Sequence, residues 1–351
     1  MNISKVVRPS VLHINDSLFL LTKSAMHGVN QWFDVFMLTF TYSGNLVSTK
    51  WQGYPNTVIN FGGERVPNTY SYKFAFWGGV GGPRLGVIAT ADSSFNIIKT
   101  DTIIQGLNLG YNLKFINDTI FILSGKKDPQ YNPNRDDDYW IITLDTSNHL
   151  YNSLITGTYD TMDYPSINNI AFLTPAKIFG GFTKNSIYLI GEFSSWFGLV
   201  CFDNNLELQW KKYYGDNSNW FLYDILATSD GGCLLVGTRY DWTTQYNERD
   251  VMLIKVDENG LITSTGPGPA IQVHDAIVYP NPGRDFLTIE SGPQIAGALF
   301  VLYDMAGKPL IEKTLNQSSQ TLSTAHLPAG LYLWNITLKG KNIENGKWVK
   351  E

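Results

Sequence analysis

Three consecutive aspartates, Asp136, Asp137 and Asp138, form the densest group of metal-binding side chains in this 351-residue chain. They lie in Asn132-Pro133-Asn134-Arg135-Asp136-Asp137-Asp138-Tyr139, a loop composition, and loop carboxylates are the hard oxygen ligands that Ca²⁺ takes. The Asp/Gly alternation of an EF-type loop is missing and Arg135 competes for the carboxylates, so a solvated loop is the favoured expectation. The histidines, His13, His27, His149, His274 and His326, stand singly. No HExxH, CxxC or GxSxG occurs, so neither zinc chemistry nor a serine nucleophile is indicated. Residues 78–83 are glycine-rich but lack the Lys-Ser/Thr of a phosphate cradle. Asp and Asn recur in every turn, so no two carboxylates stand out as the fixed pair that glycoside hydrolysis requires. Trp51, Trp77, Trp220 and Trp242 fall near predicted loops, where indoles either stack on sugars or pack between sheets; packing is favoured. Cys201 and Cys233 are readable as a bridge or, more simply, as two small buried apolar residues. No catalytic residue, resident metal or cofactor is assigned, and the chain leans away from being an enzyme.

The elements that must position these residues are strands. The chain is 43% hydrophobic, 14% aromatic and only 16% charged, with 32 glycines, a composition of short strands joined by turns. A net charge of −5 without a basic block makes nucleic acid a poor partner. No apolar run is long enough for a transmembrane helix. The first apolar run, residues 17–21, is too short for a signal-peptide core, so the expectation is an upstream start or a fragment.

Alternating apolar runs at 34–38, 84–88, 138–142, 195–199 and 250–254 each end in a polar turn. The turn markers Tyr42, Asp92, Asp145, Asp203 and Asp257 recur at spacings of 50, 53, 58 and 54 residues. An earlier strand precedes most of them, at 17–21, 119–123, 186–190 and 233–237, with 72–79 filling the place in a degenerate second unit. Antiparallel units of about 50 residues predict an all-β, propeller-like repeat domain over residues 1–265 with five visible blades. A β-sandwich or an open solenoid is the rival. Residues 227–238 and 250–260 resemble the repeats of secreted propeller-like proteins of Bacteroidetes.

A Gly/Pro linker at 266–275 introduces a compact all-β module, 276–351, whose strand count and turn spacing predict an Ig-like sandwich. Its strands are expected at 285–290, 298–303, 309–313, 330–337 and 346–350. Four motifs resemble, in order, the type A C-terminal sorting domain of type IX secretion. They are Val278-Tyr279-Pro280-Asn281-Pro282, Leu302-Tyr303-Asp304-Met305-Ala306-Gly307-Lys308, Leu327-Pro328-Ala329-Gly330-Leu331-Tyr332 and Gly346-Lys347-Trp348-Val349-Lys350. Trp348 departs from the smaller aliphatic usual there, and Glu351 follows the last lysine. Pro280 and Pro282 are expected to end the linker and start an edge strand; Gly307 and Gly330 to serve turns; Lys347, Val349 and Lys350 to offer an exposed positive end for recognition. The resemblance implies a secreted or outer-membrane-surface protein that passes the periplasm and meets the type IX machinery, with a cut near 266–275. The repeat domain is then expected to bind a glycan or a protein without catalysis; a secreted carbohydrate-active hydrolase on the same scaffold is the alternative.

Overall fold

One turn, used again and again, builds this protein. In a computed structural model, Asp92, Asp145, Asp203 and Asp257 each accept two backbone N–H bonds on Oδ1, from the residues two and four positions on, at 2.8–2.9 Å. The residue three positions on takes a positive φ: 61° at Phe95, 72° at Asn148, 63° at Leu206 and 75° at Gly260. An aspartate that copies a backbone turn and a left-handed residue together reverse the chain, and a β-bulge follows in the next strand. The extra residue is Ile98, Tyr151 and Gln209, opposite Thr90/Ala91, Thr143/Leu144 and Cys201/Phe202. In the first unit Thr41, not the expected Tyr42, holds this place: its hydroxyl accepts Asn45 N at 3.1 Å, and Gly44 has φ 87°.

The structure describes residues 10–27, 32–53, 58–59, 62–78, 85–105, 107–127, 138–157, 162–185, 195–216, 218–241, 249–263 and 271–351. Among them there is no α-helix, and the all-β class is observed. Two compact units form, Met1–Tyr159 with Asp163–Phe172, and Asp160–Met162 with Leu173–Glu351.

The first unit holds three antiparallel sheets. They are β1 (Ser10–Asn15), β2 (Leu18–His27), β3 (Trp32–Thr41) and β4 (Leu46–Gly53); β5 (Val58–Ile59), β6 (Gly63–Arg65), β7 (Tyr72–Gly78), β8 (Leu85–Ala91) and β9 (Ile97–Gln105); and β10 (Leu107–Phe115), β11 (Ile120–Lys127), β12 (Asp138–Asp145) and β13 (Leu150–Thr156). Strands pair with their sequence neighbours in up-and-down order, as in a propeller blade, except that β5 and β6 both pair with β7. One sheet buries only one face alone, so successive sheets stack. Leu20 and Met37 meet Phe74, Ala89 and Phe95 between the first two; Ala75 and Ile88 meet Leu113, Phe121, Leu123 and Trp140 between the second and third.

β14 (Met162–Thr174) carries the chain into the second unit. There β15 (Lys177–Asn185), β16 (Ser195–Phe202) and β17 (Leu208–Gly215) form one ladder, and β18 (Asn219–Ala227), β19 (Cys233–Tyr240) and β20 (Arg249–Val256) another. They approach closely because Gly181 has no side chain: a Cβ there would lie 2.7 Å from Ile225 Cγ2. The second strand of this repeat is β15; the expected 186–190 lies outside the described residues.

Residues 264–270 also lie outside them. Within the rest of the expected linker, β21 (Gln272–His274) adds to β17, pairing Tyr213 with His274 and Gly215 with Gln272. The sheets change there, yet 276–351 sits in the same compact unit as 173–263. The module is a sandwich of β22 (Ala276–Tyr279), β23 (Phe286–Ser291) and β26 (Ser319–Ser323) against β24 (Leu299–Tyr303), β25 (Pro309–Thr314), β27 (Gly330–Leu338) and β28 (Lys341–Lys350). Its own core includes Leu287, Ile289, Phe300, Leu302, Ile336 and Trp348. The repeated turn returns at Asp304, whose Oδ1 accepts Ala306 N and Lys308 N at 2.9 Å, with Gly307 at φ 80°.

Candidate functional site

The motif residues of the module converge on its last strand. β22 ends at Tyr279, so Pro280 and Pro282 follow a strand rather than start one, and both X–Pro bonds are cis. Asn281 then acts as a stand-in for backbone: Oδ1 accepts Val349 N at 2.9 Å and Nδ2 donates to Lys347 O at 3.0 Å. Pro280 O accepts the Trp348 indole N–H at 2.7 Å, and Gly283 N donates to Val349 O at 2.8 Å. Gly283 is required by contact, since a Cβ there would lie 2.7 Å from Trp348 Cζ2. The atypical Trp348 is thus fully buried and fills a slot made for an indole.

This clasp divides the expected recognition residues. Lys347 and Val349 are exposed, whereas Lys350 is buried, with its ammonium on Arg284 O and 3.8 Å from Asp285. Strand alternation turns Trp348 and Lys350 inward and their neighbours outward. Lys308, Gly307 and Gly330 are exposed at turns; Tyr332 is buried, its hydroxyl donating to Pro328 O at 2.6 Å. Of the aspartate cluster, Asp136 and Asp137 lie outside the described residues. Asp138 is not on a solvated loop: it opens β12 as a buried residue beside Gly157 and Asp163.

The tryptophan expectations also resolve. Trp220 is 1% exposed and packs edge-on against Phe197 at 5.2 Å, so it is no sugar platform. Trp242 and the side chains of Trp51 and Trp77 lie outside the described residues. Cys201 and Cys233 are buried free thiols, and burial pushes both up to about 12.

A cluster that sequence reasoning missed lies between β17 and the module. The Glu290 carboxylate is 1% exposed and receives four donors. Lys211 Nζ and Tyr213 Oη reach Oε1 at 2.9 and 2.7 Å; Lys184 Nζ and Tyr279 Oη reach Oε2 at 2.5 and 3.2 Å. Burial alone pushes the Glu290 carboxyl up; the two ammonium groups outweigh it and hold the group below the usual carboxylate range. Beside the cluster, Gln294 pairs its side-chain amide with the Lys211 backbone, Nε2 to O at 2.7 Å and Oε1 from N at 3.3 Å. Lys212 reaches Asp275 at 2.6 Å, and His274 meets Glu344 at 3.0 Å.

Next to the clasp runs a cleft of about 400 Å³, lined by Trp196, Asp216, His274, Asn281, Trp334 and Lys347 among others. Burial pushes the Asp216 carboxyl up, but bonds from Trp220 Nε1 at 2.9 Å and Arg239 Nη2 at 3.0 Å hold it below its ordinary range. The cleft therefore combines two indoles, a carboxylate paired with Arg239 and an exposed lysine.

Residues 276–351 thus form a two-sheet β module at the C-terminal side, its final strand clasped by a Tyr-Pro-Asn-Pro turn. Residues 277–351 match the family described as the secretion system C-terminal sorting domain. That stretch is a type IX sorting domain, and the chain is a secreted or cell-surface protein. No curated protein matches the chain in sequence. Among solved structures it is similar to a Bombyx mori GH32 beta-fructofuranosidase, at 9% identity and TM-score 0.46, covering 99% of this chain and 80% of that one. It is similar also to the beta-propeller domain of the Pyrococcus furiosus Trilobed protease, at 10% identity and TM-score 0.39, covering 91% and 98%. A third is PorZ, a surface component of the type-IX secretion system of Porphyromonas gingivalis, at 10% identity and TM-score 0.19, covering 98% and 70%.

Proposed function

We propose that this chain is type IX cargo, carried through the periplasm to the outer-membrane surface or beyond by residues 276–351, while residues 1–265 bind a glycan or a protein without catalysis. The observation that carries the export reading is the clasp. Asn281, Pro280 and Gly283 fix β28 so that Lys347 and Val349 face outward in one defined register, which suits a machine that grips a folded end. Deleting 276–351 is expected to leave the protein in the periplasm. Surface display of the deleted form would refute the sorting role.

The binding reading rests on the cleft beside the clasp. The partly exposed Trp196 suits the apolar side of a sugar ring, and Lys347 suits hydroxyl or peptide polar groups. The repeated aspartates Asp145, Asp203 and Asp257 serve turns. A glycan array followed by turnover assays on the hits tests this. Binding lost in Trp196→Ala, with no product formed by the wild type, is the expected result; product release on any hit favours the hydrolase.

A further inference from the structure

The Glu290 cluster is arranged as a receptor and its ligand. On the repeat side, Lys184 of β15 and Lys211 and Tyr213 of β17 aim three donors at one point, and each of these residues is buried. On the module side, β23 delivers one carboxylate to that point, with Tyr279 of β22 as the fourth donor. Lys184 and Lys211 both place a buried ammonium group on this one carboxylate, so its loss takes an ion-pair contact from each of them. Glu290 is therefore no incidental ion pair at a rim. It is a counter-charge that two lysines of the preceding ladder share.

A second, independent feature points the same way. The chain crosses from the repeats to the module through residues 264–270, and β21 begins only beyond them, at Gln272. β21 belongs in sequence to the module side, yet it completes the β17 edge by backbone pairing, Tyr213 to His274 and Gly215 to Gln272. This is β-strand addition, in which main-chain bonds hold a peptide that need not be covalently continuous. The Gln294 amide pairing with Lys211 and the Lys212–Asp275 contact lie on the same seam.

We infer that residues 271–351 are a docked subunit, held by a carboxylate receptor and an added strand, and that a cut within 264–270 leaves them in place as a non-covalent partner. The chemistry of that partner is a β-strand presenting a buried carboxylate. The inference deepens the export reading: a proteolytic cut in the linker would not by itself release the sorting domain from its cargo.

The test uses the full chain with a site for a sequence-specific protease in place of residues 266–270. After cutting, the protein is passed over a size-exclusion column at about 1 μM, where a Kd below that value keeps fragments together. The nicked wild type is expected to elute with the uncut protein, both fragments in one peak. Nicked Glu290→Gln removes the carboxylate that both lysines share, and its fragments are expected to separate, with a Kd raised at least ~100-fold. Should Glu290→Gln not fold before cutting, Tyr213→Phe decides, since it deletes one receptor bond and keeps the ring. Its fragments are expected to part at least ~10-fold faster than those of the wild type. Separation of the nicked wild type, or an unchanged off-rate in Tyr213→Phe, overturns the inference. Fragment retention is measured on purified protein, so its failure leaves the export reading standing, and failed export leaves the docked subunit standing.

Discussion

Replacing Trp348 tests whether the clasp, and not the tail sequence as such, defines the sorting end. The side chain is fully buried, its ring lies 5.8 Å from Tyr332, and its N–H is the donor to Pro280 O. Trp348→Ala removes a fully buried indole, which costs about 3–5 kcal/mol. Modules of this size have only about 3–5 kcal/mol from their cores, so the loss is comparable with the whole. Trp348→Phe keeps most of the ring but orphans Pro280 O, at about 1–3 kcal/mol. Hydrogen exchange over β28 is the direct assay, because its amides open with the module. Exchange is expected to speed up ~100-fold or more in Trp348→Ala and ~5- to 100-fold in Trp348→Phe, at about 1.4 kcal/mol per decade. Surface display is expected to fall in the same order. Unchanged exchange over 341–350 in Trp348→Ala would refute the argument, since nothing else in the structure could replace that slot filler.

Three further outcomes follow from the same geometry. Glu290 has a depressed folded pKa, so its stabilising contribution is complete above the ordinary glutamate value of about 4.3 and is lost as pH falls towards the folded value. The thermal stability gap between wild type and Glu290→Gln should therefore be flat from neutral pH to about pH 5 and narrow only below that; a gap that closes near neutrality contradicts the assignment. Asp145→Ala deletes two turn bonds, to Ser147 N and His149 N, and should lower stability by about 1 kcal/mol while Asp145→Asn lowers it less, as read by denaturant midpoint. Cys201 and Cys233, both pushed up to about 12 by burial, should resist alkylation at about pH 8 in the native protein and react fully after unfolding; labelling of native protein would contradict their burial.

The repeat was legible because its punctuation is chemical. An aspartate followed by small polar residues has a local reason to turn, and four of the five markers sit where that turn begins. Tyr42 missed by one residue because Thr41 supplies a hydroxyl in place of a carboxylate, and a hydroxyl is a weaker signal. The marker strands β3, β8 and β12 prove to be the third strand along their sheets, whereas β16 is the middle strand and β20 the last of their ladders. Two strands of the module were missed. β22 is too short to show alternation, and β26, Ser319-Gln320-Thr321-Leu322-Ser323, is polar along most of its length. The Glu290 cluster was illegible for a different reason. Its members are Lys184, Lys211, Tyr213, Tyr279 and Glu290, and no local rule links residues so far apart. One trace was available: Lys211 and Lys212 stand in Trp210-Lys211-Lys212-Tyr213-Tyr214, a run otherwise wholly aromatic. Charges in such a strand must find partners, because aromatic residues on both sides of it bury both faces.

That cluster changes how a truncation of the sorting domain must be read. Removing 276–351 also removes Glu290 and Tyr279, and with them the carboxylate that Lys184, Lys211 and Tyr213 share. Loss of surface display in the truncated chain then has two sources, a missing signal or a damaged cargo. The point variants separate them. Trp348→Ala loosens the clasp and keeps the Glu290 carboxylate, whereas Glu290→Gln disturbs the seam and keeps every motif residue of β28. Export that fails with Trp348→Ala and survives Glu290→Gln locates the signal in the clasped strand. Export that fails only with Glu290→Gln means that the docked arrangement, and not the isolated module, is what the machinery handles. The buried position of Lys350 favours the first outcome, because a side chain turned inward onto Arg284 O helps to hold β28 in place and leaves recognition to Lys347 and Val349.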